Sequence, residues 1–269
     1  MYKAIFLDLD GTLLDDNKII SKENYDAIET VTKNNGFVIL SSGRPVSATQ
    51  KYWEQVRASR YFIYSNGAGI YDTQNKETIF SAPINKNVVL ELFYYCTEKE
   101  ICIRLDTKYG RYLTNMDYAT STDIYFEDDI NKFLNDDEVI QISFLSTIGE
   151  KIDNAINDIK NKFNSFIKIE NHYTFLSKKE QLIHTINIVN TCTSKGNAIS
   201  GLCKFLNINL SETIAMGDDL NDISMLTTVG LGVAMGNAKE EVKNVAKQIT
   251  IDNNNSAVAK IINENFKFN

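Results

Sequence analysis

Short apolar runs alternate with amphipathic stretches along much of the chain. Residues 2–8 (YKAIFLD), 37–42 (FVILSS) and 61–66 (YFIYSN) are continuous and apolar, and similar runs return at 213–217 (TIAMG) and 231–235 (LGVAM). Continuous apolar runs of this length are typical of parallel strands that are covered on both faces. We therefore expect these five runs to be strands of a parallel sheet.

An amphipathic helix is predicted between the first two runs. Ser21 can cap its N-terminus, Ile28 and Val31 lie on one face, and Gly36 supplies a stop at its C-terminus. A strand, a helix and a second strand make a βαβ unit. Because residues 238–246 have the pattern of another surface helix, the first and last thirds of the chain together predict one doubly wound α/β core.

The middle of the chain has a different texture, in which helices and short alternating strands are mixed. The pattern predicts helices at 87–99 and near 150–163, and strands near 101–106, 139–145, 166–176 and 182–188. This is an α+β pattern, and it begins after Pro83 and ends where the parallel sheet resumes near Ile188. We therefore expect a core of residues 1–82 and 188–269, with residues 83–187 forming a second, inserted domain.

Composition and charge narrow the class of protein. The chain has 269 residues, of which 43% are hydrophobic and only two are proline, so extended disorder is unfavourable. The net charge of −7 argues against nucleic acid or an anionic membrane as the main partner. The apolar runs are far shorter than a membrane span, and the N-terminus lacks a cationic region followed by an apolar one. We expect a cytoplasmic chain, and the sequence carries no signal for its oligomeric state.

Cysteine and histidine are poor candidates for chemistry here. The four cysteines have no CxxC spacing and lie among apolar neighbours, so they are expected to be structural thiols (Cys96, Cys102, Cys192 and Cys203). The chain has only two histidines, His172 and His184. Carboxylates must therefore carry any acid-base chemistry.

Polar residues follow several of the predicted strands at the points where those strands end. The first run leads into Asp-Leu-Asp-Gly-Thr at 8–12, the second into Ser-Ser-Gly-Arg-Pro at 41–45, and the fourth into Asp-Asp-Leu-Asn-Asp at 218–222. Lys195 and Gly196 precede the helix that leads to the fourth run. Since ligands of open parallel sheets bind beyond the carboxyl ends of the strands, these four segments are expected at one edge.

Each segment alone also has an ordinary structural interpretation. The first could be a strand-end turn in which Asp10 bonds local amides, and the second could simply start a helix. Lys195 could be a solvated lysine, although a cation near a helix N-terminus is mildly unfavourable and an anion nearby would give it a reason to be there. The last segment could be a capped turn.

The combination of the four segments favours a metal and phosphate site. If Asp8, Asp10, Asp218 and Asp222 converge, each close pair repels by about 4 kcal/mol near 4 Å, which requires a cation or shared protons. Oxygen ligands without histidine or cysteine favour a hard ion, and Mg²⁺ suits carboxylates, a backbone carbonyl and a substrate phosphate. Ser42, backbone amides at helix starts and Lys195 form the complementary anion site. Together they indicate phosphoryl transfer.

These residues resemble the motifs of the haloacid dehalogenase superfamily of phosphohydrolases. DLDGT, SSGRP, Lys195 and GDDLND stand in the four motif positions and in the same order, and SNGAGIYD at 65–72 is similar to the segment before the cap in the magnesium-dependent Cof-type branch. The resemblance covers essentially the whole chain in layout. It implies a Rossmann-like core with a large α/β cap inserted between the second and third motifs, which is where residues 83–187 lie.

The resemblance also implies a role for each motif residue. Asp8 would be the nucleophile that forms an aspartyl-phosphate, and Asp10 would be the general acid and then the general base. Asp8, the Asp10 backbone carbonyl and Asp218 would hold Mg²⁺, with Asp222 ligating directly or through water. The phosphoryl group would be bound by a set of four residues, Ser42, Gly43, Lys195 and Asn221.

Alternatives remain open at this point. Arg44 could contact substrate, and it could equally form an ion pair on the core. We expect a hydrolase of small phosphorylated metabolites, with sugar phosphates as the leading class. A phosphosugar mutase or phosphotransferase would use the same residues, and a protein that only binds a phosphorylated metabolite would keep the site without turnover. Candidates for substrate selection in the insert are Arg104, Asp106, His172 and Tyr173, each of which could also be an ordinary packing or surface residue.

Overall fold

A computed structural model describes residues 2–56, 58–120, 122–177 and 179–267. The strands within these ranges are β1 (Ala4–Leu7), β2 (Phe37–Leu40), β3 (Tyr61–Tyr64), β4 (Gly69–Asp72), β5 (Glu77–Ser81), β6 (Cys102–Thr107), β7 (Arg111–Leu113), β8 (Asp123–Tyr125), β9 (Val139–Ser146), β10 (Ile167–Leu176), β11 (Leu182–Asn190), β12 (Thr213–Gly217), β13 (Leu231–Ala234) and β14 (Gln248–Ile249). The α-helices are α1 (Lys22–Lys33), α2 (Val46–Val56), α3 (Lys86–Lys99), α4 (Ile130–Asp136), α5 (Gly149–Phe163), α6 (Lys195–Phe205), α7 (Ile223–Thr228), α8 (Glu240–Val245) and α9 (Ala257–Asn265).

The chain divides into two compact units. One unit, here called the core unit, is built from both ends of the chain, Met1–Phe80 and Thr193–Asn269. The other, here called the insert unit, is the continuous segment Ser81–Cys192. The N-terminal and C-terminal segments both contribute strands to the core unit, so its sheet requires both of them.

The core unit contains a five-stranded parallel sheet with the order β14-β13-β12-β1-β2. Strand β1 lies in its interior, and Leu7 is in register with Met216 of β12 and with Leu40 of β2. All four residues of β1 are fully buried, which explains why its sequence is continuously apolar. The doubly wound α/β fold class is confirmed. The carboxyl ends of β1, β2 and β12 lie side by side.

Helix α1 forms as its sequence predicts. The hydroxyl of Ser21 accepts a hydrogen bond from the backbone N–H of Asn24 at 3.3 Å, which caps the N-terminus. Ala27, Ile28 and Val31 are its buried apolar residues, and the helix packs against α9 from the far end of the chain. This contact joins the two halves of the core unit on one side of the sheet.

The prediction that residues 61–66 form a strand of the parallel sheet was wrong. Strand β3 pairs antiparallel with β4 in a separate three-stranded sheet, β3-β4-β5, and an isolated parallel bridge between Ser41 and Ile63 links it to the residue after β2. The reason is the tight turn at Ser65–Gly67, which sends the chain straight back so that the next strand becomes its partner. The fifth strand of the parallel sheet is instead the short β14 near the C-terminus.

The insert unit is an α+β domain. Its six-stranded sheet has the order β10-β11-β9-β6-β7-β8, in which neighbours are antiparallel except β7 and β8. One face of this sheet packs against α3, α4 and α5 through a buried apolar cluster that includes Leu92, Leu105, Phe133, Phe144 and Ile152. None of the helices within the described ranges is long and apolar enough to cross a membrane.

Candidate functional site

Polar side chains lie together at the carboxyl ends of the parallel strands. Asp8 directly follows β1 and donates its backbone N–H to the carbonyl of Met216 at 3.1 Å. Ser41 follows β2 and donates its N–H to the carbonyl of Leu7 at 2.8 Å. Asp218 follows β12. The parallel register therefore brings these segments, distant in sequence, to one edge of the sheet.

Lys195 is the cation at the centre of this edge. It is the first residue of α6, has no exposed surface, and its Nζ lies 2.6 Å from Oδ1 of Asp8 and 2.6 Å from Oδ1 of Asp222. Burial alone would lower the pKa of Lys195, but these two carboxylates outweigh it and raise the pKa above its usual value. The ammonium group is therefore firmly charged, and it joins Asp8, which lies 187 residues before it in the chain, to Asp222, which lies 27 residues after it.

Three carboxylates gather around this lysine. Oxygen atoms of Asp8, Asp218 and Asp222 all lie within 4.8 Å of one another. Asp222 also accepts the backbone N–H groups of Asp218 and Asp219 through Oδ2, at 2.9 and 3.0 Å, so it shapes the loop that carries Asp218. Asp218 in turn accepts the hydroxyl of Thr12 at 3.2 Å. The sequence-predicted convergence of these three acidic residues is observed.

Burial and crowding raise the pKa values of Asp8 and Asp218. Burial raises the pKa of Asp8 well above its usual range, and Asp222 and Asp218 raise it further, while Lys195 opposes the shift. For Asp218, burial and then the charge of Asp222 raise the pKa to about 7. One lysine does not neutralise three close carboxylates, so the cluster favours a second cation.

The chemistry of the cluster fits a divalent metal ion. Asp8, Asp218 and Asp222 offer only carboxylate oxygens, which are the ligands that hard cations prefer, and their spacing allows one ion to reach all three. Asp10 does not contribute its side chain to this cluster within the described residues. Its predicted contribution through the backbone carbonyl stays a prediction.

Stabilisation of the protein by Mg²⁺ is expected to depend on pH around 7. Because the folded-state pKa of Asp218 is raised from 3.8 to about 7, its contribution to stability is complete below 3.8 and is lost as the pH rises through 7. A bound metal requires the deprotonated form, so the Mg²⁺-induced rise in Tm should be larger above pH 7 than below it. Thermal melts at several Mg²⁺ concentrations across this range measure the effect.

The matched control for this pH dependence is Asp218→Asn. The amide can still accept from Thr12, but it neither titrates nor carries charge. Its Mg²⁺-induced change in Tm should be small at every pH. An equal Mg²⁺ response above and below pH 7 in the unmodified chain would contradict the expectation.

Asp10 is held away from the acidic cluster by two cations. Its carboxylate forms a two-pronged ion pair with Arg44, in which Nε and Nη2 each lie 2.7 Å from a carboxylate oxygen, and Nζ of Lys18 lies 2.8 Å from Oδ1. Burial alone would raise the pKa of Asp10, but Arg44 and Lys18 outweigh it and lower the pKa to about 2. Arg44 also lies over the ring of Tyr52 at 5.1 Å. Arg44 was predicted either to contact substrate or to form an ion pair on the core, and the structure has the ion pair, with Asp10.

The predicted phosphate-binding residues lie in three neighbouring segments of the core unit. Ser42 is buried, and its hydroxyl accepts the backbone N–H of Arg44 at 3.2 Å. The amide of Asn221 donates to Oδ1 of Asn66 at 2.8 Å. A Cβ atom on Gly43 would lie 2.9 Å from that same oxygen, so Ser42, Gly43 and Asn221 meet around Asn66. Their roles in binding phosphate stay predictions.

Gly11 is required by the geometry of the site. Its φ is +77°, and a Cβ atom there would lie 2.3 Å from Oδ2 of Asp218. A side chain at this position would be strained in the backbone and would displace the carboxylate. The glycine of the first motif therefore keeps space for Asp218.

Sequence reasoning did not assign three residues that the structure brings to the site. Thr12 contacts Asp218, Lys18 contacts Asp10, and Asn66 contacts Asn221. Thr12 and Asn66 lie inside stretches that carry the family resemblance, so position in a motif was the available signal. Lys18 follows the first motif in a loop, and only its contact with Asp10 makes it notable.

The four insert residues considered for substrate selection separate into two kinds. Arg104 and Asp106 are buried in an ion-pair network, in which Nη2 of Arg104 lies 2.9 Å from Oδ2 of Asp123 and Nε of Arg111 lies 3.3 Å from Oδ1 of Asp106. His172 and Tyr173 are exposed on β10. Arg104 and Asp106 thus have structural partners within the insert unit.

Comparison with known proteins decides the family. The sequence model of the haloacid dehalogenase-like hydrolase family matches residues 5–262, which is nearly the whole chain. The chain belongs to this family. The chain is 29% identical to phosphatase YwpJ of Bacillus subtilis, and the match covers 97% of this chain and 98% of the relative. A second B. subtilis relative, 5-amino-6-(5-phospho-D-ribitylamino)uracil phosphatase YcsE, is 28% identical over 97% of this chain and 94% of its own length.

A solved structure shares the fold of this haloacid dehalogenase-like hydrolase. The structure of TM0651 from Thermotoga maritima superposes with a TM-score of 0.84 at 24% identity, covering 99% of this chain and 98% of that chain. This likeness shows the fold. The predicted family and the prediction of a haloacid dehalogenase-type phosphatase are confirmed.

Proposed function

We propose that this phosphatase is a Mg²⁺-dependent hydrolase of small phosphomonoesters, with sugar phosphates as the leading substrate class, acting in the cytoplasm. One observation carries the proposal: Asp8, at the end of the interior strand β1, is bound by Lys195 at 2.6 Å and has oxygens within 4.8 Å of those of two further carboxylates. The proposed nucleophile Asp8, the cation Lys195 and the candidate metal site therefore lie next to one another. The net charge of −7 disfavours nucleic acid as substrate.

Asp8 acts as the nucleophile in the first step. Lys195 holds one carboxylate oxygen and orients the group, and the other oxygen attacks phosphorus. The new bond is between Asp8 and phosphorus, and the bond that breaks joins phosphorus to the ester oxygen of the substrate. Bound Mg²⁺ would neutralise charge on the transferring phosphoryl group.

Asp10 handles the protons in both steps. It gives a proton to the departing ester oxygen. In the second step it accepts a proton from the water whose oxygen attacks phosphorus, the bond between phosphorus and Asp8 breaks, and inorganic phosphate leaves. With a pKa of about 2, set by Arg44 and Lys18, Asp10 is a carboxylate in the arrangement described here. It is therefore ready to accept a proton, and proton donation requires that these two contacts be given up.

The substrate class rests on the named relative and on the residues of the anion site. YcsE is named as a phosphatase of a phospho-D-ribitylamino compound, which is a small phosphorylated metabolite. A small phosphomonoester also suits an anion seat built from a few residues, namely Ser42, Gly43, Lys195 and Asn221.

A screen of phosphorylated metabolites tests the proposal. Purified protein with Mg²⁺ should release inorganic phosphate from small monoesters, with sugar phosphates giving the largest kcat/KM. Chelation of the metal should lower the rate by at least about 100-fold, and added Mg²⁺ should restore it. Single-stranded DNA with a 5′-phosphate serves as the bulky control and should be a poor substrate. Absence of phosphate release from every small monoester would overturn the proposal.

A further inference from the structure

The turn between β3 and β4 has an unusual backbone. Ser65, Asn66 and Gly67 have φ values of +46°, +56° and +93°, so three successive residues lie in the left-handed region. For Ser65 this conformation is strained, and asparagine tolerates it better than most residues that carry a side chain. Strain of this kind persists only where the surroundings fix it, and the surroundings of this turn are the predicted phosphate-binding segments.

Each of those segments contacts the turn. The backbone N–H of Asn66 donates to the carbonyl of Ser42 at 3.0 Å. A Cβ atom on Gly67 would lie 2.2 Å from the carbonyl oxygen of Ser194, the residue that caps the helix of Lys195. The side chain of Asn66 accepts from Asn221 at 2.8 Å. The turn is thus packed between the segments of Ser42, Lys195 and Asn221.

Only one of the two polar atoms of the Asn66 carboxamide has a hydrogen-bond partner among the described residues. The residue is 1% exposed, its Oδ1 accepts from Asn221, and its Nδ2 has no hydrogen-bond partner among the described residues. That nitrogen would lie 3.3 Å from a Cβ atom on Gly43, so it is placed against the second motif. Leaving a buried N–H donor unpaired is unfavourable, and an anion at Gly43 is a natural acceptor.

We propose that Asn66 is a further phosphate-binding residue, whose Nδ2 donates a hydrogen bond to a phosphoryl oxygen seated at Ser42, Gly43 and Asn221. The inference rests on the proposed function and adds a residue to its anion site. Asn66 then does two things: Oδ1 orients the amide of Asn221, and Nδ2 contacts the ligand. Gly43 leaves the room that this contact needs.

Asn66→Gly is the variant that removes the carboxamide with least disturbance of the turn. Glycine adopts a φ of +56° without strain, so the backbone is retained. The dissociation constant of inorganic phosphate, measured by calorimetry on the Mg²⁺-loaded protein, should rise by about 10- to 100-fold, because a hydrogen bond to a charged group is lost. In the hydrolase assay the kcat/KM should fall by a similar factor.

Asn207→Gly is the matched control. Asn207 also has a φ of +56°, but it is exposed and follows the opposite end of α6 from Lys195. This variant removes the same side chain from the same backbone conformation. It should bind phosphate as the unmodified chain does.

A double-mutant cycle separates direct contact from an effect through Asn221. If Nδ2 of Asn66 touches phosphate, adding Asn66→Gly to Asn221→Ala should weaken phosphate binding by about 10-fold beyond Asn221→Ala alone. No further loss in that background would overturn the direct contact, as would unchanged binding in Asn66→Gly. Asn66→Asp keeps an acceptor for Asn221 but has no donor, so phosphate binding equal to that of the unmodified chain would also overturn it.

The phosphate titration is independent of turnover. If the unmodified protein binds phosphate but releases none from any monoester, the proposed hydrolase function fails while the role of Asn66 is still decided by the titration. If the protein is an active phosphatase and the Asn66 variants bind phosphate normally, only the role of Asn66 fails.

Discussion

Asp8→Asn is expected to lower kcat for phosphomonoester hydrolysis on the order of 10⁴-fold or more, and to leave the fold intact. The amide is nearly isosteric with the carboxylate, but it does not attack phosphorus, so covalent catalysis is lost. One charge also leaves a crowded acidic cluster, since Asp8 has oxygens within 4.8 Å of Asp218 and Asp222. Removing a repelling charge offsets part of the lost contact with Lys195, which keeps Asp222 as a partner at 2.6 Å. Release of p-nitrophenol from p-nitrophenyl phosphate measures the activity, and circular dichroism measures the fold.

Asp26→Asn is the matched control for this substitution. Asp26 lies in α1, is half-exposed and forms an ion pair with Lys22 on the surface of the same unit. The control makes the same chemical change and should retain full activity, because surface ion pairs contribute little. Full activity in Asp8→Asn would refute the assignment of Asp8 as the nucleophile.

Lys195→Met is expected to destabilise the metal-free protein by about 3 to 5 kcal/mol, the range seen when one partner of a buried ion pair is removed. Methionine fills similar space, but the cation that lies 2.6 Å from both Asp8 and Asp222 is gone. The remaining carboxylates repel each other in a buried site. Urea unfolding of the protein without metal measures the loss. Mg²⁺ should recover part of it, because the ion supplies positive charge to the same oxygens.

Lys204→Met provides the comparison for this loss of stability. Lys204 lies in the last turn of the same helix and is exposed. Its replacement should change the free energy of unfolding by less than about 1 kcal/mol. A loss in Lys195→Met no larger than in Lys204→Met would show that the buried lysine does not hold the cluster together.

The features that the sequence predicted correctly are those that depend on residues close together in the chain or on a general rule for parallel sheets. The apolar run at Ala4–Leu7 predicted a buried strand, and Asp8 followed it by position alone. Ser21 predicted a helix start because capping involves residues only three apart. The convergence of Asp8 and Asp218 followed from the rule that parallel strands end at one edge.

The parts that could not be read depend on contacts between distant segments. Arg44 and Asp10 are 34 residues apart, and their two-pronged ion pair depends on the path of the chain after β2. The same holds for β3, whose apolar sequence fits a buried strand in either sheet, while the turn after it decides its partner. The unpaired nitrogen of Asn66 is visible only once the surroundings of that side chain are known.

The division of the core unit between the two ends of the chain has a consequence for biosynthesis. Asp8 and Lys195 are 187 residues apart, so the ribosome takes on the order of 10 to 40 s to deliver the second after the first. Until β12 emerges, one edge of β1 lacks its neighbour and presents open backbone groups to other nascent chains. The insert unit, being continuous, is complete earlier. The core unit is therefore the last part of this enzyme to be completed, and a truncated product that lacks β12 would leave one edge of β1 open to pairing with other chains.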